Sequence, residues 1–157
     1  MKLQKATRCA LFAILELARH PERQISAGEI ADKYGISVNH LAKVLRDLAR
    51  TGLVEATRGA RGGYRFGGNA KRVTLYQVIE MFEDIAASRS PRPEAGDDSD
   101  VGRALGRVMA EIDDIAVSTL KSITLTTLLK IVDRHAPLEA PTKAAASQGF
   151  EAAPRRY

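Results

Sequence analysis

Apolar residues recur at helical spacing from the start of the chain. Leu3, Ala6, Ala10, Leu11, Ile14, Leu15 and Ala18 share one face of a 3.6-residue period, which predicts a first helix ending before His20-Pro21. Ser26-Ala27-Gly28-Glu29 reads as a capping box, with the Ser26 hydroxyl accepting from the Glu29 amide and the Glu29 carboxylate accepting from the Ser26 amide. The short helix it opens stops at Gly35, a residue type suited to a left-handed C-terminal position. Ser37 is placed to cap a third helix running to about Arg50 and ending at Thr51-Gly52.

The period then changes. Leu53 to Thr57 reads as one strand and Tyr64-Arg65-Phe66 as another, joined by the Gly-rich turn Arg58-Gly59-Ala60-Arg61-Gly62-Gly63 into a hairpin. Thr74-Leu75-Tyr76-Gln77 is a second capping box, opening a helix through about Glu83. Residues 85–100, with Ser88, Ser90, Pro91, Pro93, Gly96 and an acidic run, read as a flexible linker. From Val101 a long helix is expected. Val101, Leu105, Val108, Ile112, Ile115 and Thr119 alternate steps of four and three, a narrow heptad-like seam. The cluster Ser122 to Thr127 should interrupt it before a short helix over Leu128 to Val132, within a 101–136 dimerisation segment. Residues 137–157 are rich in Ala and Pro and are expected to be disordered.

The stretch from Glu29 to Leu45 meets the conditions of a helix-turn-helix together. Ala31 is small where two helices must cross, Gly35 tolerates positive φ in the turn, and Ile36, Leu41, Val44 and Leu45 can lock the second helix to the first. The hairpin that follows is then a wing. The fold expected is mainly α with a small β-hairpin wing: a winged helix-turn-helix head over residues 1–84, then a long dimerisation helix. In this docking mode the first residues of the second helix meet base edges in the major groove, here Ser37, Val38, Asn39, His40 and Lys43. Asn39 suits adenine and His40 or Lys43 suits guanine, while the plainer role of such residues is to satisfy free helix amides. Arg58, Arg61 and Arg65, with Tyr64, surround the wing glycines and could enter a minor groove. No Gly-Lys-Ser/Thr follows, so the loop does not read as a nucleotide cradle.

Charge supports the same picture. Residues 1–72 carry fourteen Lys and Arg against six Asp and Glu, whereas residues 73–157 carry ten against thirteen. A basic first half and a mildly acidic second half fit a nucleic-acid reader with a separate partner-binding half. Aromatics are 5% and Trp is absent, which favours packed helices over a sheet sandwich. No apolar run approaches the roughly 20 residues of a bilayer span, and no signal core follows Met1-Lys2-Leu3, so a cytoplasmic protein is expected.

Candidate chemistry is sparse. No acid–base pair, activated nucleophile or metal constellation points to an enzyme. Cys9 is the sole cysteine, which excludes an internal disulfide. With Lys5 and Arg8 beside it, its thiol could be a low-pKa redox sensor; the plainer role is a small, space-filling residue. His20, His40 and His135 lack ligand spacing, and Glu94, Asp97, Asp98 and Asp100 lack the spacing of a cation loop.

Several of these features together resemble the Rrf2 family of bacterial transcription regulators. They are Met1-Lys2-Leu3 with Ala10-Leu11, Ile30-Ala31 to Gly35-Ile36-Ser37, Gly52-Leu53-Val54, and the Arg58-Gly59 to Gly62-Gly63-Tyr64 wing. The similarity is dense over residues 1–84 and weaker over 101–132, and Asn39-His40-Leu41-Ala42-Lys43 looks closest to the NsrR branch. The resemblance implies a homodimer crossed through the long helix, with Leu105, Val108, Ile112 and Ile115 in the seam, binding a pseudo-palindromic promoter site on double-stranded DNA. Cluster-binding members carry three cysteines in the linker and the start of the long helix; Ile85 to Arg107 contains none, and Arg8 stands where some members place a carboxylate ligand. No cofactor and no metal are therefore expected. The controlling input is left to a small molecule, a partner protein or Cys9.

Overall fold

The computed structural model describes residues 2–59, 62–85 and 94–135. Along the chain these form α1 (Lys5–Arg19), α2 (Ala27–Tyr34), α3 (Val38–Arg50), β1 (Val54–Thr57), β2 (Gly63–Phe66), α4 (Leu75–Glu80), α5 (Asp100–Ser122) and α6 (Leu125–His135). The chain is mostly helical with one two-stranded antiparallel hairpin.

The core sits where α1 lies across α3. Ala10, Ala13, Ile14 and Leu17 of α1 meet Leu41, Leu45 and Leu48 of α3, all at 0% exposure, with Ile30, Val54, Val78 and Leu125 closing the sides. The two alanines let the helix backbones approach closely, and the leucines supply the area removed from water. Gln4, at the N-cap of α1, makes no side-chain cap. Instead Glu83, beyond α4, accepts from the Gln4 amide at 2.8 Å and from Thr7 Oγ1 at 2.6 Å. A carboxylate from the far end of the head thus satisfies the first turn of α1, which also favours negative charge.

Both capping boxes form, at Ser26 with Glu29 and at Thr74 with Gln77. The hairpin pairs Val54 with Phe66 through Thr57 with Gly63. Its second strand is also stitched to the residue before α2. The Ile25 amide donates to the Tyr64 carbonyl at 2.9 Å, and the Tyr64 amide donates to the Ile25 carbonyl at 2.8 Å. A Cβ at Gly63 would fall 3.0 Å from the Ile25 carbonyl oxygen, so the close approach needs a glycine there.

Some boundaries differ from the sequence expectation. Ser37 stands at the N-cap of α3, but its hydroxyl makes no capping bond. The α4 helix ends at Glu80, short of Glu83. Ser99 caps α5 by accepting from the Gly102 amide at 2.9 Å, so the long helix starts at Asp100. The expected interruption after α5 is shorter than its β-branched residues suggest. Thr124 Oγ1 accepts from the Thr127 amide at 3.2 Å and acts as a cap, which starts α6 at Leu125 instead of Leu128.

The end of α5 is fastened to the head by backbone. Leu75 donates to the Ile123 carbonyl, Leu125 to that of Val73 and Thr126 to that of Ala70, at 2.9, 2.9 and 3.0 Å. Most of the linker assignment (86–93) and the tail assignment (137–157) fall outside the described residues.

Candidate nucleic-acid interface

Helices α2 and α3 form the helix-turn-helix. Gly35 ends α2 with φ 62°, in the left-handed region that glycine enters without strain, and the Ile36 amide returns to the Ala31 carbonyl at 2.9 Å. Ala31, 1% exposed, lies at the helix contact. The inward face of α3 is entirely apolar, with Leu41, Val44, Leu45 and Leu48 buried. Its opposite face presents Asn39, Lys43, Arg46 and Arg50 to solvent. Steps of four, three and four residues keep these side chains in one row along the helix.

The expected contact residues are not equivalent. Ser37, Val38, Asn39 and Lys43 are exposed. His40 is half-buried, and its Nε2 is buried without a hydrogen-bond partner, so it lies off the outer row. On the wing, Arg58 is exposed and, among the described residues, has no acidic partner. Arg61 lies outside the described residues. Tyr64 is half-buried against the core, and Arg65 donates to Glu55 Oε2 at 2.7 Å across the hairpin. Arg46 and Arg50 share this exposed row without having been singled out by the sequence pattern. The 39-43-46-50 spacing is the signal that places them there, and it extends beyond the first helical turn where base contacts are expected.

A polar hub fixes the reading unit to α1. Glu16 is buried, and both its oxygens accept from Lys33 Nζ, at 2.8 and 2.7 Å, while Tyr34 Oη donates to one of them at 2.7 Å. Burial works to raise the Glu16 pKa, but the hydrogen bonds from Lys33 and Tyr34 outweigh it and hold the carboxyl below its usual range. Burial and the neighbouring Glu16 charge push the Tyr34 phenol up. The Tyr34 ring stacks on Phe12 with centroids 5.0 Å apart and planes 2° apart, pinning the last turn of α2 against α1.

Cys9 departs from the reactive-thiol expectation. It is 4% exposed within the core, and burial pushes its thiol up despite Lys5 and Arg8 nearby. Desolvation penalises the thiolate more than the two solvated cations favour it. The seam residues Leu105, Val108, Ile112 and Ile115 are 61, 54, 51 and 60% exposed.

The family model "Iron-dependent Transcriptional regulator" (Rrf2) matches residues 3–131. This protein belongs to the Rrf2 family. It is 56% identical over 133 residues to BadM of Rhodopseudomonas palustris, named as an HTH-type transcriptional regulator, covering 85% of this chain and 84% of that one. Its fold is similar to that of CymR, the global cysteine regulator of B. subtilis. There the TM-score is 0.69 at 29% identity, over 83% of this chain and 98% of CymR. IscR of T. potens gives a TM-score of 0.63 at 25% identity, over 96% and 95%. The chain is thus a DNA-binding transcriptional regulator with the winged-helix architecture of Rrf2 proteins.

The iron in the family description finds a poor donor set here. The chain's one cysteine is buried in α1. Among the described residues no group of three or more His, Cys, Asp and Glu converges to hold a metal ion. Arg8, at the position likened to a carboxylate ligand, is an exposed cation. These residues do not fit a thiolate-ligated cluster. No helix among the described residues is long and apolar enough to cross a membrane.

Proposed function

We propose that this protein is a cytoplasmic homodimer that represses transcription by occupying a pseudo-palindromic promoter site, independently of an iron–sulfur cluster. The observation that carries the reading is the exposed row on α3, beside a wing whose Arg58 carries an unmatched positive charge. A positively charged edge needs an anionic partner, and the phosphate backbone supplies one at every step. Asn39 and Lys43 are assigned to base edges, with Ser37 and Val38 at the groove floor and Arg58 and Arg61 on the minor groove. Tyr64 and Arg65 support the wing. The likeness of Asn39 to Lys43 to the NsrR branch concerns this reading helix and does not extend to cluster ligands.

The dimer is argued from α5. Its seam is symmetric about Ala110. An antiparallel second copy would set Val101 against Thr119, Leu105 against Ile115, and Val108 against Ile112. The same symmetry sets Arg107, in the basic half, against Asp113, in the acidic half. An apolar face half-exposed over this length is costly in water, and a copy of itself covers it with matched charge. A two-fold protein reads a two-fold site. We assign residues 1–84 to DNA reading and 101–136 to dimerisation, with 85–100 as the linker. We place control at the α5 interface, through a small ligand or partner protein, because Cys9 is withdrawn from solvent.

The test is fluorescence anisotropy on a duplex from upstream of the protein's own gene and on a scrambled duplex, across a salt series. Affinity should fall steeply with salt and favour the upstream duplex. Absence of salt-dependent binding would leave an interaction module that keeps the fold without reading DNA.

A further inference from the structure

We propose that Arg46 is a positioning residue: it grips one backbone phosphate and thereby sets how deeply α3 enters the major groove. The inference rests on the DNA-binding reading above and assigns one part of that surface. Arg46 is exposed on the same row as Asn39 and Lys43. Among the described residues it has no hydrogen-bond or ion-pair partner. Two other arginines of this surface are paired: Arg50, one turn further on, lies 3.4 Å from Asp47, and Arg65 on the wing holds Glu55. A guanidinium left without an acid on a helix that otherwise buries its apolar face is open to an anion from outside.

Position along the helix decides which anion. At about 1.5 Å of rise per residue, Arg46 sits roughly 10 Å behind Asn39. The major groove is about 12 Å wide, so a helix whose first turn reaches the base edges has its third turn at the groove wall, where the phosphates lie. The planar fork of arginine matches two phosphate oxygens at once, a geometry a lysine ammonium does not reproduce. Held there, Arg46 anchors the third turn of α3, and the exposed wing cation Arg58 offers a second anchor outside the helix. Two separated anchors fix tilt and depth, leaving Asn39 and Lys43 aimed at bases.

The experiment compares wild type with Arg46→Ala and Arg46→Lys by anisotropy on the upstream and scrambled duplexes over a potassium chloride series. For Arg46→Ala, affinity should fall on both duplexes and more on the upstream one, whose base contacts lose their aim, and with two copies per dimer the log–log salt slope should shrink by about 1.8. Arg46→Lys should restore the slope, because the charge remains, while recovering less of the affinity. The thermal midpoint of Arg46→Ala should match wild type, since the side chain is exposed and, among the described residues, has no hydrogen-bond or ion-pair partner. An unchanged slope overturns the proposal, and so does a loss confined to the upstream duplex, which would make Arg46 a base reader. A lowered thermal midpoint overturns it too, by showing a structural role. If wild type shows no salt-dependent binding, the DNA-binding reading itself falls, an outcome separable from failure of the Arg46 assignment.

Discussion

Helices α3 and α5 carry the same kind of sequence pattern and reach opposite ends. Each has apolar residues at steps of three and four with charges on the other side. In α3 the apolar positions Leu41, Val44, Leu45 and Leu48 are all buried, at 3% exposure or less. In α5 only Val117 is buried, while Leu105, Val108, Ile112 and Ile115 remain at least half exposed. Periodicity therefore tells that a face exists and does not tell what covers it. The difference lies in what the rest of the chain can offer. Ala10, Ala13, Ile14 and Leu17 present a flat, close surface to α3, whereas α5 extends past the head beyond the reach of other apolar elements.

The largest expected effects come from disturbing the two faces in turn. Leu45→Ala removes a fully buried side chain and should destabilise the head by about 3 kcal/mol, lowering the thermal midpoint. Ile112→Asp places a charge on the open face and should convert a dimer to monomer in sedimentation, with a midpoint that no longer rises with protein concentration. A variant that still sediments as a dimer would show that the seam lies elsewhere. A thermal loss that persists at dilutions where wild type is itself monomeric would mean the α5 face is packed within one chain after all.

The same contrast explains how much was legible in the sequence. The helices, both capping boxes, Gly35 and the wing were readable because each depends on residues close in the chain. The pairing of Arg65 with Glu55, the burial of Cys9 and the capping of α1 by Glu83 were not, because each depends on a neighbour brought in by the fold. Arg46 was readable in principle: its spacing from Asn39 was visible, but its freedom from acids was not. The start of α6 differs from the expectation because Thr124 and Thr127 read as a β-branched interruption, whereas the Thr124 hydroxyl caps the helix.

A smaller effect should come from the polar hub that α3 and α5 both lack. Glu16 has its carboxyl held below the usual range, so its contribution to stability is present above the ordinary carboxylate pKa and is lost as pH falls through the lowered folded value. Glu16→Gln should therefore cost roughly 2 kcal/mol at neutral pH. The thermal midpoints of variant and wild type should converge in acid. Parallel curves across the whole pH range would mean that the hub contributes through shape instead of charge.

The smallest effect is expected at Cys9, and it decides where the controlling input enters. The thiol sits in the core of the head on α1, and burial pushes its pKa up; an oxidant needs the thiolate and a path to it. Cys9→Ala should cost about 1 kcal/mol, the loss of one small buried group. Its DNA affinity should equal wild type both reduced and mildly oxidised. Equal binding in all four conditions keeps the head rigid and places control on the α5 side, the region whose apolar face is still open to a partner. Release of oxidised wild type but not of the variant would reverse the contrast: the packed head would then be the part that opens, and the exposed helix would only hold two copies together.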